Sequence, residues 1–181
     1  MRHSNVVYTL IRIPLSTGPA LLLRRHEKWG DWSLVGGHVE EDELDDWGQA
    51  ALREATEEME PLVAGRDFRV EPIHDEPIVW GPEASRSARG ERTIYHIQYF
   101  TLVFLRDPLT LLDLLSPPDF LLLEEQKLGT TEHALGNPVH RARRFLQGGF
   151  DSVRWAWDEP LEPSRLPIGM QARSSVSGAT G

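Results

Sequence analysis

A chain of 181 residues suffices for one domain, and its 40% hydrophobic and 26% charged residues are typical of a folded globular protein rather than a disordered one. The formal net charge of −9 argues against binding of nucleic-acid polymers, because that affinity comes from basic side chains that neutralise phosphates. The absence of cysteine excludes disulfides, thiolate nucleophiles and cysteine zinc sites. The chain shows neither a signal-peptide pattern nor an apolar run of roughly 20 residues, so we expect a cytoplasmic protein with no membrane partner.

The N-terminal part is predicted to begin with a β-hairpin. Residues 6–15 are rich in β-branched and apolar side chains and end at the turn signal Ser-Thr-Gly-Pro, and residues 20–26 follow as the partner strand. Residues 32–37 indicate a further short strand that ends in Gly36 and Gly37. After these glycines the spacing of apolar residues becomes helical.

A helix is predicted from Asp45 or Asp46, either of which can cap it, to about Met59. Its apolar positions recur at every fourth residue: Trp47, Ala51, Ala55 and Met59. Side chains at this spacing form one stripe, so we expect them to face the core.

Two strands are predicted in the middle of the chain, at residues 68–80 and 93–105, on either side of a polar loop at residues 81–92. Together with the hairpin and the helix, they favour an α/β or α+β layered domain in which helices cover a mixed β-sheet. The fold class alone does not indicate a chemistry.

The C-terminal part carries weaker signals. A second helix is predicted at residues 138–147, with Asn137 as its cap and proline at its first position. Residues 108–129 fit no single element. Residues 160–181, rich in Ser, Gly and Pro towards their end, are predicted as a loosely held extension of a single domain formed by residues 1–159.

The chemistry is predicted to lie in the Arg-Glu-Ala-Thr-Glu-Glu segment of the first helix. At about 100° per residue, Glu54, Glu57 and Glu58 fall within an arc of roughly 100°, away from the apolar stripe. Like charges at such spacings destabilise a helix by roughly 0.2–0.5 kcal/mol per pair. A solvated acidic face is the ordinary explanation of such a pattern. A divalent cation is the functional one, because Mg²⁺ prefers carboxylate oxygens and is often shared with substrate phosphates.

The order of a Gly-Gly turn, an acidic loop and this helical segment resembles the Nudix box of MutT-like hydrolases. In that box a glycine is followed by five residues, a glutamate, seven residues, then Arg-Glu, an aliphatic residue, any residue and Glu-Glu, with a glycine and an aliphatic residue at its close. Gly37 and Glu43 fit the first interval, and residues 53–58 fit the central block. The resemblance extends by strand order over residues 5–147 and implies a Nudix-type α/β/α sandwich with a mixed sheet between helices.

The sequence departs from the box at two places. Nine residues instead of seven separate Glu43 from Arg53, and Glu60 and Pro61 replace the closing glycine and aliphatic residue. We expect the two extra residues to lie in the loop at residues 39–45, so that the helix stays intact and Glu43 is expendable. Glycine would suit a left-handed cap, so this helix is expected to end differently.

The resemblance implies Mg²⁺- or Mn²⁺-dependent hydrolysis of a nucleoside diphosphate derivative. It implies that Glu57 and Glu58 bind metal together with the backbone carbonyl of Gly36. Glu54 would be a further metal ligand or the general base, and Arg53 would orient these acids. In this family a later loop can supply another acid, for which Glu124 and Glu125 are candidates; a solvated pair is the alternative.

Substrate recognition is less clearly marked. Arg86, Arg89 and Arg92 lie in the polar loop and could fold over an anionic ligand, although an exposed loop explains them equally well. Trp29 and Trp32 could stack on a base or pack in the core. His38 is the one histidine placed beside the double glycine.

Two other functions fit the same sequence. The chain could bind a nucleotide or a partner without turnover, or it could hydrolyse a non-nucleoside diphosphate. The retention of all three glutamates favours the enzyme. We expect a small phosphorylated substrate as the main partner, and a homodimer is allowed.

Overall fold

The computed structural model describes residues 1–115, 118–146 and 150–172, which contain nine β-strands and three α-helices. The strands are β1 (Arg2–Leu10), β2 (Arg12–Leu15), β3 (Gly18–Arg25), β4 (Trp32–Ser33), β5 (Val35–His38), β6 (Phe68–Pro72), β7 (Ile78–Ala84), β8 (Arg92–Phe104) and β9 (Phe120–Glu124). The helices are α1 (Trp47–Glu58), α2 (Pro108–Leu114) and α3 (Asn137–Phe145).

The strands form two sheets. The first has the order β5-β1-β8-β6, with β7 also paired to β8; β1 and β8 are parallel and the other pairs are antiparallel. The second is antiparallel, with the order β2-β3-β4 and with β9 paired to β3. The predicted α+β class and its mixed sheet are confirmed, while the second sheet was not predicted.

Two stretches predicted as single strands each pass from one sheet to the other. Residues 6–15 are divided between β1 and β2 at Ile11, and residues 32–37 are divided between β4 and β5 at Leu34. Both dividing residues are buried, because the chain at these points still runs between packed layers. Each break therefore falls on an apolar residue, and no Gly or Pro directly beside that residue marks the break in the sequence. The predicted hairpin is present as β2 and β3.

Helix α1 begins where the sequence predicts. The Asp46 carboxylate accepts a hydrogen bond from the Gly48 N–H at 3.0 Å and caps the helix. Ala51, Ala55 and Met59 are fully or almost fully buried, and the helix packs against β5, β1 and β6. The apolar stripe thus fixes which side of α1 is free to carry the acids.

The strands in the middle of the chain begin and end at other residues than those predicted. The stretch predicted as one strand at residues 68–80 forms β6 and β7, which both pair with β8. Strand β7 extends into the predicted loop as far as Ala84. Helix α3 has Gly136 at its cap position, where the prediction has Asn137, and no side chain caps it.

The prediction of a loosely held extension is wrong for residues 160–172. The Leu161 N–H donates to the Pro14 carbonyl at 2.8 Å, the Leu122 N–H donates to the Met170 carbonyl at 2.7 Å, and Met170 is fully buried. Backbone pairing and buried apolar side chains hold this segment to the second sheet. Residues 173–181 lie outside the described residues. Within the described part of the chain, no helix is long and apolar enough to cross a membrane.

Candidate active site

The candidate site lies where α1 crosses β5. Pairing of β5 with β1 places Gly36 opposite Tyr8. Gly36 has a φ of 151°, and a Cβ at this position would lie 2.1 Å from the Val7 carbonyl oxygen. A Cβ on Gly37 would lie 2.4 Å from a carboxylate oxygen of Glu54. The first glycine therefore permits close strand pairing, and the second leaves room for a carboxylate against the strand.

The three predicted acids lie on one side of α1 but differ in exposure. The side chains of Glu54 and Glu58 are only 14% and 19% exposed, whereas that of Glu57 is 60% exposed. The Gly36 N–H donates to Glu58 at 3.4 Å. Two carboxylates are thus held against the double glycine while the third faces solvent.

Arg53 connects the acids to the preceding loop. Its guanidinium donates two hydrogen bonds to Glu43, at 2.7 and 2.9 Å, and one to Glu54, at 2.9 Å. It also donates to the backbone carbonyl of His38 at 3.0 Å. These bonds raise the pKa of Arg53, with Glu43 as the largest cause, and Arg53 in turn lowers the pKa of Glu43. Arg53 therefore links Glu54 to Glu43 and to the loop before α1, and its orienting role in catalysis stays a prediction.

The contacts of Glu43 argue against the expectation that it is expendable. The loop before α1 contains a short 3₁₀ turn over Glu41–Glu43. This turn directs the Glu43 side chain, only 8% exposed, back to Arg53. Glu43 also accepts the Glu40 N–H at 2.9 Å. Glu43 therefore contacts Arg53 although nine residues instead of seven separate the two in the sequence.

Burial disfavours the ionised forms of Glu54 and Glu58. Burial is the largest cause that raises the pKa of Glu58 to about 8; Arg24, 4.0 Å away, opposes the rise and Glu54 adds to it. Burial also raises the pKa of Glu54, against the effect of Arg53. A nearby cation would stabilise both ionised forms.

The donor set at this site fits Mg²⁺ or Mn²⁺. Carboxylate oxygens of Glu54, Glu57 and Glu58 and the Gly36 carbonyl are hard oxygen ligands of the kind that Mg²⁺ prefers. Among residues 1–115, 118–146 and 150–172, no three His, Asp or Glu side chains already meet in metal-binding geometry. Binding a cation would therefore require the exposed Glu57 side chain to move towards the other two.

A cleft of about 190 Å³ is lined by Glu58, but not by Glu54 or Glu57. Glu58, Gly36, Gly37, His38 and Tyr8 line its part next to α1. Three arginines line it as well: Arg24 from β3, Arg86 from the loop after β7, and Arg141 from α3. The cleft thus combines a carboxylate group with basic side chains that can contact phosphates.

The predicted substrate residues are only partly brought together. Arg86 lines the cleft, where it forms an ion pair with Asp31 at 2.6 Å and lies 4.5 Å above the ring of Trp29. Arg89 and Arg92 are exposed and do not line the cleft.

The two tryptophans lie at different places. Trp29 lines the cleft, whereas Trp32 lines a separate pocket and has its ring edge-on to His133. The position of Trp29 therefore fits the aromatic role better than that of Trp32. The sequence alone does not show which of the two tryptophans lines the cleft and which lines the separate pocket.

The later acids Glu124 and Glu125 are engaged elsewhere. Glu124 accepts hydrogen bonds from Thr17 and Gln126, and Glu125 forms an ion pair with the buried Arg12 at 2.6 Å. Neither lines the cleft. Their positions indicate a structural role, although they were predicted as candidates for the metal site.

The cleft also contains residues that sequence reasoning missed, notably Tyr8 and Arg141. Tyr8 alternates with buried residues in β1 and has the pattern of an ordinary core aromatic. Arg141 belongs to a short helix with several arginines, and nothing in its spacing distinguishes it from Arg143 and Arg144. Only the packing of α3 near β4 reveals its position.

Comparison with known proteins identifies the family. The model of the NUDIX domain matches residues 5–121, which is more than half of the chain. The chain belongs to the Nudix family. The matched region includes the double glycine, Glu43 and the acids of α1, and membership confirms the prediction of a Nudix hydrolase at the level of the family. No curated protein matches the chain in sequence.

The chain is also similar to solved structures at low sequence identity, and the first of these has the same fold. NrtR from Shewanella oneidensis is 19% identical with a TM-score of 0.52; the match covers 79% of this chain and 63% of NrtR, so the chain spans less than two thirds of that protein. A mutT/nudix family protein from Listeria innocua is 20% identical over 80% of this chain and 93% of its own, with a TM-score of 0.48. RenU, a Nudix hydrolase from M. smegmatis, is 18% identical over 78% and 85%, with a TM-score of 0.45.

Proposed function

We propose that this Nudix protein hydrolyses a diphosphate linkage in a nucleoside diphosphate derivative and that it requires Mg²⁺ or Mn²⁺. The observation that carries the proposal is the pair Glu54 and Glu58, two largely buried carboxylates held against Gly36 and Gly37 beside an open cleft. Buried carboxylates without full compensation are costly, and a divalent cation would offset that cost. A phosphorylated substrate would share the cation.

Each residue has a specific role in this proposal. Glu57, Glu58 and the Gly36 carbonyl would hold the cation, which when bound polarises the diphosphate oxygens and lowers the pKa of its water. Glu54, fixed by its 2.9 Å bond to Arg53, is a further ligand or accepts the proton of the water that attacks phosphorus. The attacked phosphorus keeps the water oxygen, and the other phosphate leaves with the bridging oxygen.

The cleft supports a small phosphorylated substrate rather than a polymer. Its volume of about 190 Å³ is limited, and Arg24 and Arg86 can contact phosphate oxygens. Trp29 offers a ring on which a base can stack in competition with Arg86. These features favour a nucleotide derivative, in keeping with the expected cytoplasmic location and with the net charge of −9.

Binding without turnover is the second candidate. It uses the same cleft and the same acids, because binding of a cation and a phosphate does not by itself require hydrolysis. In that case the protein would bind the nucleotide in the cleft and release it unchanged.

The test is a substrate screen with identification of products. Purified protein is incubated with Mg²⁺ and with nucleoside and non-nucleoside diphosphates in ¹⁸O-labelled water, and the products are analysed by mass spectrometry. The proposal predicts cleavage of a nucleoside diphosphate derivative, with one ¹⁸O in one of the two phosphate products. Tight binding without products would support the binding module, and cleavage of non-nucleoside diphosphates alone would contradict the proposed substrate class.

A further inference from the structure

The cleft has a second polar end, away from the acids, formed by α3. This helix follows residue 121 and so lies outside the segment that matches the family. Gly136, Asn137, Pro138 and Arg141 of this region all line the cleft. The start of α3 is therefore part of the candidate active site although nothing in the box specifies it.

The position of α3 is fixed by close packing on β4. The Gly136 N–H donates to the Trp32 carbonyl at 2.8 Å, and a Cβ on Gly136 would lie 3.2 Å from the Ser33 side chain. Glycine at the cap position leaves the first turn of α3 without a side-chain cap. Pro138 has no N–H, and the Val139 N–H donates to the Gly136 carbonyl at 3.1 Å, so binding of an anion at this end would depend on side chains rather than on backbone N–H groups.

Arg141, one turn into α3, is the observation that indicates an anion site. The residue is only 6% exposed, and its Nε has no hydrogen-bond partner. Its guanidinium lies 4.5 Å above the ring of Tyr95, and its Nη2 contacts the carboxylate of Glu83. A buried guanidinium with an unsatisfied donor is costly unless an acceptor completes it.

Tyr8 lines the cleft together with Arg141 and Glu58. Burial raises the pKa of Tyr8 to about 12; the nearby charge of Arg141 lowers it, and those of Glu58 and Glu54 raise it. Burial also lowers the pKa of Arg141.

We propose that Arg141 binds an anionic group of the substrate, a phosphate other than the one attacked, and so selects diphosphates that carry further negative charge. This inference rests on the proposed function for the identity of the ligand. Arg141 acts here as a specificity-determining residue. Glu83 holds the guanidinium in place from Nη2, while Nε remains for the substrate.

The first test needs no turnover. Binding of inorganic pyrophosphate is measured by calorimetry in EDTA at fixed ionic strength for the native protein, Arg141→Gln and Arg143→Gln. Arg143 lies on the same helix, is exposed and does not line the cleft, so its variant removes the same charge elsewhere. We expect Arg141→Gln to weaken binding by about tenfold or more, and Arg143→Gln by less than about twofold.

Several outcomes would overturn the inference. These are no binding by the native protein at millimolar pyrophosphate, equal effects of the two variants, or native-like affinity in Arg141→Gln. Circular dichroism checks the fold of each variant. If Arg141→Gln does not fold, Arg141→Lys, which keeps the charge near Glu83 but lacks the guanidinium Nε, is held to the same criterion.

A kinetic measurement separates this inference from the proposed function. With a hydrolysed substrate that carries an additional phosphate, Arg141→Gln should raise KM and leave kcat nearly unchanged. If pyrophosphate binding depends on Arg141 but KM does not, the site serves a free anion and the substrate assignment is wrong. If no substrate is hydrolysed, the proposed function fails while the binding result still decides whether α3 forms an anion site.

Discussion

Replacement of Glu43 by glutamine should destabilise the protein and impair catalysis together. The change keeps the shape of the side chain but removes the charge that receives two hydrogen bonds from Arg53. Glu43 is largely buried and Arg53 is one-quarter exposed, with other acceptors at Glu54 and His38. We therefore take the range for charged hydrogen bonds rather than that for a fully buried pair, and expect a loss of about 2 kcal/mol. For a chain of this size that lowers Tm by about 4–8 °C.

The same change should slow turnover, because Arg53 positions Glu54. Loss of one anchor lets the guanidinium and the carboxylate shift, and misplacement of this kind lowers activity by roughly 10–100-fold. Thermal unfolding and metal-dependent hydrolysis are measured for the native protein, Glu43→Gln and Glu41→Gln. Glu41 is the matched control, since it is exposed in the same turn.

A double-mutant cycle with Arg53→Gln isolates the pair. We expect a coupling free energy of about 1 kcal/mol or more between the two positions. Equal behaviour of Glu43→Gln and Glu41→Gln, or a coupling near zero, would refute the reasoning and restore the view that Glu43 is expendable.

Mg²⁺ should raise Tm by binding the folded state, and the double change of Glu57 and Glu58 to glutamine should abolish that shift; a shift that persists would place the ion elsewhere. Gly37→Ala should reduce activity with a smaller loss of Tm than Gly36→Ala, because the atoms nearest its added Cβ belong to the side chain of Glu54, whereas those nearest the Cβ at Gly36 include the Val7 backbone. Similar losses of Tm in both alanine variants would contradict this. Asp67 is fully buried, and hydrogen bonds from Arg66, from Val63 and from Arg106 lower its pKa well below the usual value. Its contribution to stability is present above about pH 4 and is lost as the pH falls further, so Asp67→Asn should lower Tm at pH 7 and flatten the acid limb of the stability curve. An unchanged acid limb would show that other carboxylates control it.

The local elements of the fold could be predicted where a single pattern decides them. Helix α1 has a capping aspartate and an uninterrupted apolar stripe, and both are seen in the structure. The two breaks at Ile11 and Leu34 could not be predicted, because each falls on a buried apolar residue with no Gly or Pro directly beside it. The ordered segment at residues 160–172 was missed because its composition resembles that of a loop, while its anchoring depends on single residues such as Met170.

The candidate site was predictable only where its residues follow one another in the chain. The acids and Arg53 share one helix, so their spacing places them together. The contact of Glu43 with Arg53 depends on the conformation of the turn at Glu41–Glu43, and the spacing of these residues in the sequence does not reveal that conformation. Arg141 reaches the cleft only because α3 packs near β4, and such a long-range contact leaves no trace in spacing or composition.

Mg²⁺-dependent hydrolysis by a Glu58→Gln variant is the most direct measurement of the central claim, that the acids of α1 beside the double glycine form the catalytic site. Glu60→Gln is the control, because Glu60 is exposed just beyond the same helix. On the nucleoside diphosphate derivative that the native protein cleaves fastest, Glu58→Gln should lose at least about 100-fold in kcat, and Glu60→Gln should stay within about threefold of the native rate. If Glu58→Gln keeps native Mg²⁺-dependent turnover, the hydrolytic centre lies elsewhere in the molecule.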